Sequence, residues 1–182
     1  MKPSDDSAIL ALIKDPSTQE KGYRLLVELY QVRVYGIIRK MVLIHDDAND
    51  ITQNTFIKAF KNINKFKGDS SLFTWLYRIA TNESLNFLNK KKKRIFLQID
   101  DHEMKMENYL EQSPHIDGSK IELLLQKILL KLPEKQRLVF NLKYFEELSY
   151  EDISAITETS VGALKASYHH AVKKIEKEIK GE

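Results

Sequence analysis

Apolar residues recur at threes and fours along almost the whole chain, the period of a helix with one buried face. Glycine and proline are few, 6 and 4 of 182 residues, so little interrupts the pattern. The chain therefore reads as all-α. A short first helix is expected over residues 4–14, with Ser4 as cap and Ile9, Leu10, Leu12 and Ile13 apolar. Asp15-Pro16 ends it, because a residue before proline is pushed out of the helical region. Ser17 or Thr18 then caps a helix over about 18–43, with Leu25, Leu26, Leu29, Val32 and Ile37 facing a core.

A third helix, about 47–63, takes Asp46 or Asp47 as cap and puts Ile51, Thr55, Phe56, Ala59, Phe60 and Ile63 on its apolar stripe. Its other face holds Asp47, Asp50, Gln53 and Asn54, then Lys58 and Lys61, and spacing alone reads that face as solvated. After a loop over 64–70, Ser70 or Ser71 caps a fourth helix running to about Lys92. Leu72, Trp75, Leu76, Ile79, Ala80 and Phe87 are its inward side; Thr74, Tyr77, Arg78, Thr81, Asn82 and Asn86 lie on flanking or exposed faces.

Periodicity then fails. Residues 95–118 contain Pro114 and Gly118 and read as a flexible or conditionally ordered linker, with Ile95, Phe96, Leu97, Ile99 and Tyr109 as adhesive points. It separates a first domain, 1–94, from a second, 119–182. In the second, Leu123, Leu124, Ile128 and Leu132 mark one helix. Pro133 stands in the first turn of the next, about 133–147, which carries Leu138, Val139, Leu142 and Phe145. Ser149 to Asp152 approximates a capping box and opens a short helix with Ile153 and Ile156. Thr157-Glu158-Thr159 make a turn, and Ser160 caps a final helix to about Lys180, with Leu164, Ala171 and Ala166 inward. A short helix, a tight turn and a longer basic helix fit a helix-turn-helix.

Charge sharpens this division. The net charge is only +3, but it is uneven. Residues 1–94 carry 17 Lys/Arg against 10 Asp/Glu, a net +7; residues 95–118 carry 1 against 6, a net −5; residues 119–182 carry 11 against 10, a net +1. The basic first half points to a polyanion partner. With no cysteine, disulfides and thiolate metal sites are excluded. His169 and His170 are adjacent, so on a helix they diverge by about 100° and chelate poorly. No glycine-rich phosphate loop or catalytic triad spacing argues for an enzyme, and no cofactor or metal is expected. The N-terminus is not a signal peptide and no apolar run is long enough for a bilayer, so the chain reads as cytoplasmic.

The candidate chemistry concentrates in Phe66–Arg94, FKGDSSLFTWLYRIATNESLNFLNKKKKR. Aromatic side chains stack on unpaired bases while cations follow the backbone, as single-stranded nucleic acid requires. An unstacked base also needs a small polar pocket, which Lys67, Gly68, Asp69, Ser70 and Ser71 can supply, with Gly68 allowing close backbone approach. Trp75 serves equally as core or contact. The run Lys90, Lys91, Lys92, Lys93 and Arg94 exceeds what a helix dipole needs, since that effect fades within a turn. In the second domain, Ser160, Val161, Gly162, Ala163, Lys165, Ser167, Tyr168, His169 and Lys173 occupy the part of a recognition helix that meets duplex DNA.

Two stretches, DDANDITQNTFIKAFKNINKFKGDSSLFTWLYRIATNESLNFLNKKKKR (46–94) and LPEKQRLVFNLKYFEELSYEDISAITETSVGALKASYHHAVKKIEKEI (132–179), resemble regions 2 and 4 of bacterial extracytoplasmic-function sigma factors, in the right order and joined by a linker. The resemblance implies a non-catalytic sigma factor that directs core RNA polymerase to promoters. Asp47, Asp50, Gln53 and Asn54 would then dock on the β′ clamp helices, reversing the solvated reading of that face. Phe66, Lys67, Gly68, Asp69, Ser70, Ser71, Thr74, Trp75, Arg78, Asn82 and Lys90 to Arg94 would bind the minus-ten element and help melt it. The second domain would read the minus-thirty-five element near the β flap, and a membrane-bound anti-sigma factor is the implied regulator. The sequence departs from the family where Glu158 replaces a usual turn glycine, where Leu164-Lys-Ala-Ser167 replaces Val-Lys-Ser-Arg, and where His170 replaces a common arginine. The competing reading is a stand-alone helix-turn-helix regulator of duplex DNA.

Overall fold

The structure, a computed structural model, describes residues 3–96 and 120–180. Two compact units, Met1–Leu88 with Ala155–Glu158 and Asn89–Ser154 with Thr159–Glu182, are taken separately. The first rests mainly on α1 (Pro3–Lys14), α2 (Gln19–Val42), α3 (His45–Asn62), a 3-10 turn (Ile63–Lys65) and α4 (Leu72–Phe96) as far as Leu88. The second rests mainly on α5 (Lys120–Leu130), α6 (Glu134–Phe140) with a π-helical turn (Asn141–Phe145), the start of α7 (Tyr150–Thr157) and α8 (Val161–Lys180). The linker expectation over 97–118 lies outside the described residues. Ile95 and Phe96, expected to begin it, continue α4 instead.

In the first unit α2 packs between α1 and α3. Its buried face is Gly22, Leu26, Tyr30, Val34, Ile37, Ile38 and Met41. That face corrects the expected stripe: Leu29 is 37% and Val32 75% exposed. Tyr30 and Gly22 claim the inner register, and Leu29 and Val32 fall one stripe to the side. Gly22 is required by contact, since a Cβ there would stand 2.7 Å from Ile13 Cγ1 and 2.8 Å from the Ile13 nitrogen. The glycine lets α1 lie directly on α2, with Ile9 and Ile13 buried beneath it.

The capping expectations for α2 also change. Thr18, one of the two alternatives, holds the cap position but makes no side-chain cap bond; its hydroxyl donates instead to the Leu12 carbonyl at 2.9 Å, and Gln19 Nε2 donates to the Ile13 carbonyl at 3.2 Å. The side chains opening α2 thus satisfy the free carbonyls that end α1. Ser17 donates its N–H and its hydroxyl to Asp15, and these bonds hold the Asp15 carboxyl below its usual range. At α3 the cap position is Ile44, without a side-chain cap bond, so Asp46 and Asp47 sit inside the first turn and act there through the helix dipole.

The second unit closes on Ile128, Leu129, Leu132, Phe140, Ala171 and Ile175. Pro133 stands just outside α6 at its cap position, not in its first turn. Leu138, Val139 and Leu142 are buried as expected, but Phe145 is exposed. The i→i+5 turn adds a residue and rotates Phe145 off the stripe. Leu124 also faces outward, and the Leu123 side chain lies outside the described residues. The Ser149 hydroxyl accepts the Asp152 N–H at 3.0 Å, as a cap should. Its own proton goes to Asp152 Oδ2 at 2.6 Å, because the short Asp side chain meets the hydroxyl in place of the backbone N–H.

Glu147 and Glu158 hold left-handed backbone, with φ of 53° and 54°. Such a conformation costs a non-glycine residue on the order of 1 kcal/mol. Glu147 is exposed between α6 and α7. Glu147→Gly is therefore expected to stabilise the second unit by about 1 kcal/mol, read as a higher urea midpoint at unchanged slope; an unmoved or lower midpoint would refute the strain.

Candidate nucleic-acid interface

The segment Phe66–Ser71 joins the 3-10 turn to α4. Phe66 donates its N–H to the Ile63 carbonyl at 3.0 Å, and its ring lies 5.3 Å from that of Trp75, tilted by 50°. Lys67, Gly68 and Asp69 are exposed. Gly68 has a φ of 82°, yet nothing lies within 4 Å of where a Cβ would stand. Turn conformation, then, and no close neighbour within the chain, accounts for this glycine. At the far end the Ser71 hydroxyl accepts the Thr74 N–H at 3.1 Å and pairs with the Thr74 hydroxyl at 2.9 Å. Ser71 is the cap of α4, as one of the two alternatives required.

Helix α4 has two working sides. The inner side carries Leu72, Leu76, Tyr77 and Ala80, all fully buried. The Tyr77 ring lies 4.0 Å from that of Phe73, and its hydroxyl donates to the Arg33 carbonyl at 3.2 Å. The expectation that Thr74, Tyr77 and Thr81 lie on flanking or exposed faces is corrected: all three are buried. Thr74 supports the cap from inside and offers no surface to a ligand.

The outer side carries Trp75, Ile79 and Asn82. With Lys58, Asn62, Lys65 and Glu83 they line an open groove between α3 and α4. Lys58 is held to Glu83 at 2.5 Å, an exposed pair that orients the lysine more than it stabilises the fold. Trp75 is half-buried, so one part of the ring packs on Phe66 while another faces the groove. Arg78 is exposed three residues on. Lys58, Asn62 and Lys65 were not singled out from the sequence as sharing a site with Trp75, although their spacing of four and three is a helical stripe. Lys90 is exposed and Lys91 half-buried near the end of α4; the side chains of Lys92, Lys93 and Arg94 lie outside the described residues.

On α3, Asp50, Gln53 and Asn54 are exposed and Asp47 is half-buried. Ile57, 48% exposed, continues the same face one turn on.

In the second unit α7 and α8 form the helix-turn-helix, with Glu158 at the left-handed turn. The Leu164 N–H donates to the Ser160 carbonyl at 3.0 Å and the Ala163 N–H to the Ser160 hydroxyl at 3.4 Å, so Ser160 caps α8. Leu164, Ala171 and Ile175 are buried. Gly162, Ala163, Lys165, Ala166, His169, His170 and Lys173 are exposed, and Val161 and Ser167 are half-buried. Ala166 thus faces out, against the inward expectation. The Tyr168 ring stacks on Phe140 at 5.9 Å and 16°, and meets Tyr150 edge-on at 6.4 Å. Burial first, then Tyr150 and Tyr144, pushes its phenol above the usual range. Tyr168 belongs to the wall of the core more than to the open face. Lys143 and Lys165 lie 5.1 and 5.7 Å from the Tyr150 ring. His169 and His170 have ring centroids 6.0 Å apart, tilted by 56°.

No helix among the described residues is long and apolar enough to cross a membrane. The family model for sigma-70 region 2 matches residues 26–94, and that for sigma-70 region 4 matches residues 122–175. The chain is 33% identical over 171 residues to the RNA polymerase sigma-H factor of Pseudomonas aeruginosa, covering 88% of this chain and 87% of that one. It is 32% identical over 168 residues to the ECF RNA polymerase sigma-E factor of Haemophilus influenzae, covering 88% of each chain. Among solved structures, the sigma factor RpoE of Bartonella quintana, in complex with the anti-sigma factor NepR, shares the fold. Its TM-score is 0.71 at 23% identity, over 88% of this chain and 98% of that chain. CnrH, in complex with the cytosolic domain of CnrY, gives 0.69 at 21% identity, over 97% of this chain and 98% of that one. With both regions in order on one all-α chain and a helix-turn-helix in the second unit, the protein belongs to the extracytoplasmic-function RNA polymerase sigma factors and serves transcription initiation.

Proposed function

We propose that the first unit melts and holds minus-ten DNA at the loop and outer face of α4, while the second reads minus-thirty-five duplex. The observation that carries this reading is the Phe66–Trp75 pair beside an exposed glycine-bearing loop and a groove lined by Lys58 and Lys65. A π-face at the mouth of a basic groove suits a base drawn out of the stack, with the strand backbone passing Arg78 and Asn82. Lys67, Asp69, Ser70 and Ser71 supply polar atoms around that base. Lys90 to Arg94 anchor the phosphates of the upstream duplex. On α8 the exposed stripe Gly162, Ala163, Lys165, His169 and Lys173 faces the major groove, with Ser160, Val161 and Ser167 at its margins.

Asp47, Asp50, Gln53 and Asn54 form the docking face for the β′ clamp helices of core polymerase, and the second unit lies near the β flap. Each DNA contact is modest, and polymerase holds both at once, so the local concentration of one site relative to the other raises the combined affinity. Chemistry belongs to the polymerase, and no residue of this chain is assigned a catalytic part. The protein works in the cytoplasm, where a membrane-bound anti-sigma factor keeps it inactive; the Bartonella and CnrH complexes support that partner class. A stand-alone duplex regulator would have no use for the loop and the Trp75 groove.

Run-off transcription is expected to start from cognate promoters only when core polymerase and this protein are both present; initiation no better than core alone across a genomic promoter library would sink the assignment. Changing Asp50 and Gln53 to alanine is expected to weaken core binding about tenfold at unchanged helicity, and undiminished co-elution with core would refute the docking face. Replacing Lys90 to Arg94 with alanine is expected to make the slope of log affinity against log salt shallower by roughly 0.9 for each phosphate no longer neutralised. An unchanged slope would remove DNA contact from that run.

A further inference from the structure

The two oxygens of Asp6 are both used, and on different helices. Oδ1 accepts the hydroxyl of Tyr30, on α2, at 2.5 Å. Oδ2 accepts the backbone N–H of Leu72 at 3.0 Å, across 66 residues of sequence. Leu72 opens α4, so its N–H has no partner within the helix, and a carboxylate there also suits the positive helix end. One side chain on α1 therefore bridges to the buried face of α2 and to the entry of α4. The loop Phe66–Ser71 ends one residue before that bond. Its middle is exposed, and restraints gather at its two ends, among them the Phe66 bond to Ile63, the Phe66–Trp75 contact and the Ser71 cap.

Helix α1 is itself held closely. Gly22 admits Ile13 at a distance no Cβ would allow, and Thr18 and Gln19 bond its last carbonyls. The matched region 2 begins at residue 26, so α1 lies outside it.

We infer that Asp6 is a positioning residue for minus-ten recognition: docked α1 acts as a strap that sets the C-terminal end of the DNA-reading loop through the Leu72 N–H. This rests on the proposed assignment of loop 66–71 to the non-template strand. The strap has a diagnostic sign. Removing an acid near a polyanion site strengthens binding if only charge matters. Loss of the strap weakens it, because the loop must then be ordered at the moment of binding.

The test uses the full chain in holoenzyme and two readouts: affinity for core, and affinity of holoenzyme for a fluorescent single-stranded non-template oligonucleotide from a promoter it transcribes. Asp6→Ala is expected to bind the oligonucleotide about tenfold more weakly, with core affinity within about twofold. Asp6→Asn keeps one acceptor and loses less. Gly22→Ala pushes α1 away without touching the carboxylate and weakens oligonucleotide binding in the same direction. The double variant is no weaker than its worse parent, since both changes break one device.

Lys67→Ala reports on the loop itself and is expected to weaken oligonucleotide binding. If Lys67→Ala loses affinity while Asp6→Ala binds normally or more tightly, the strap is overturned and the loop assignment stands. If both bind normally, the loop assignment falls and the strap with it. If Asp6→Ala loses affinity while Lys67→Ala does not, Asp6 acts elsewhere and the strap is overturned. Equal losses of core and oligonucleotide affinity in Asp6→Ala and Gly22→Ala would mark general destabilisation and overturn it as well.

Discussion

The phenol of Tyr30 sits in the interior of the first unit, and a buried hydroxyl without a partner costs about 1–3 kcal/mol. That requirement organises the unit. The ring lies 6.4 Å from that of Phe73, so the face of α2 that carries it is also the face α4 packs on. Its hydroxyl is met by Asp6, and the same carboxylate meets the first N–H of α4. The interior demand of α2, the docking of α1 and the entry angle of α4 are thus one problem with one solution. A charge at that point is tolerable because two donors share it and it is only partly buried.

With its entry set, α4 has little freedom to rotate. Arg33 lies 3.9 Å over the Phe73 ring, and the Tyr77 hydroxyl reaches the Arg33 carbonyl. These contacts commit Phe73 and Tyr77 to the α2 side. Trp75 and Asn82 are left on the side of Lys58, Asn62 and Lys65. Burial of Leu72, Leu76, Tyr77 and Ala80 makes this division, and the cation–π contact and the hydrogen bond fix the directions of the Phe73 and Tyr77 rings within it. In the second unit a comparable division falls on α8. Tyr168 stacks inward on Phe140, and the small and basic residues one stripe away remain open. The resemblance implied arginine where Ser167 and His170 stand, so exposed positive charge on this helix is all lysine, Lys165 near its start and Lys173 and Lys174 farther along. Lysine delivers charge to phosphate but lacks the fork that reads guanine from two sides.

The turn at Glu158 shows how far a local rule reaches. Family resemblance asked for glycine there, and the φ of 54° is the backbone that makes glycine usual. The chain keeps the turn with glutamate at a cost of order 1 kcal/mol, small beside the burial of Ile153, Ile156 and Leu164 on either side. At Gly68, with a φ of 82°, the chain does place glycine on such backbone.

The sequence by itself determined the all-α class, the order of the helices, the helix-turn-helix and the family. Each is written in a period of three to four residues or in a run of adjacent residues, and such signals are local. It also determined which chemistry was present, in the aromatic loop, the basic run and the acidic start of α3. Only the tertiary structure decided which stripe of α2 turned inward, because Leu29 and Val32 satisfy the helical period as well as Tyr30 and Val34 do. It alone placed Thr74 and Tyr77 inside, put Lys58 and Lys65 beside Trp75, and joined Asp6 to Leu72. A hydrogen bond across 66 residues leaves no periodic trace, since its partners are chosen by how helices pack and not by their spacing along the chain.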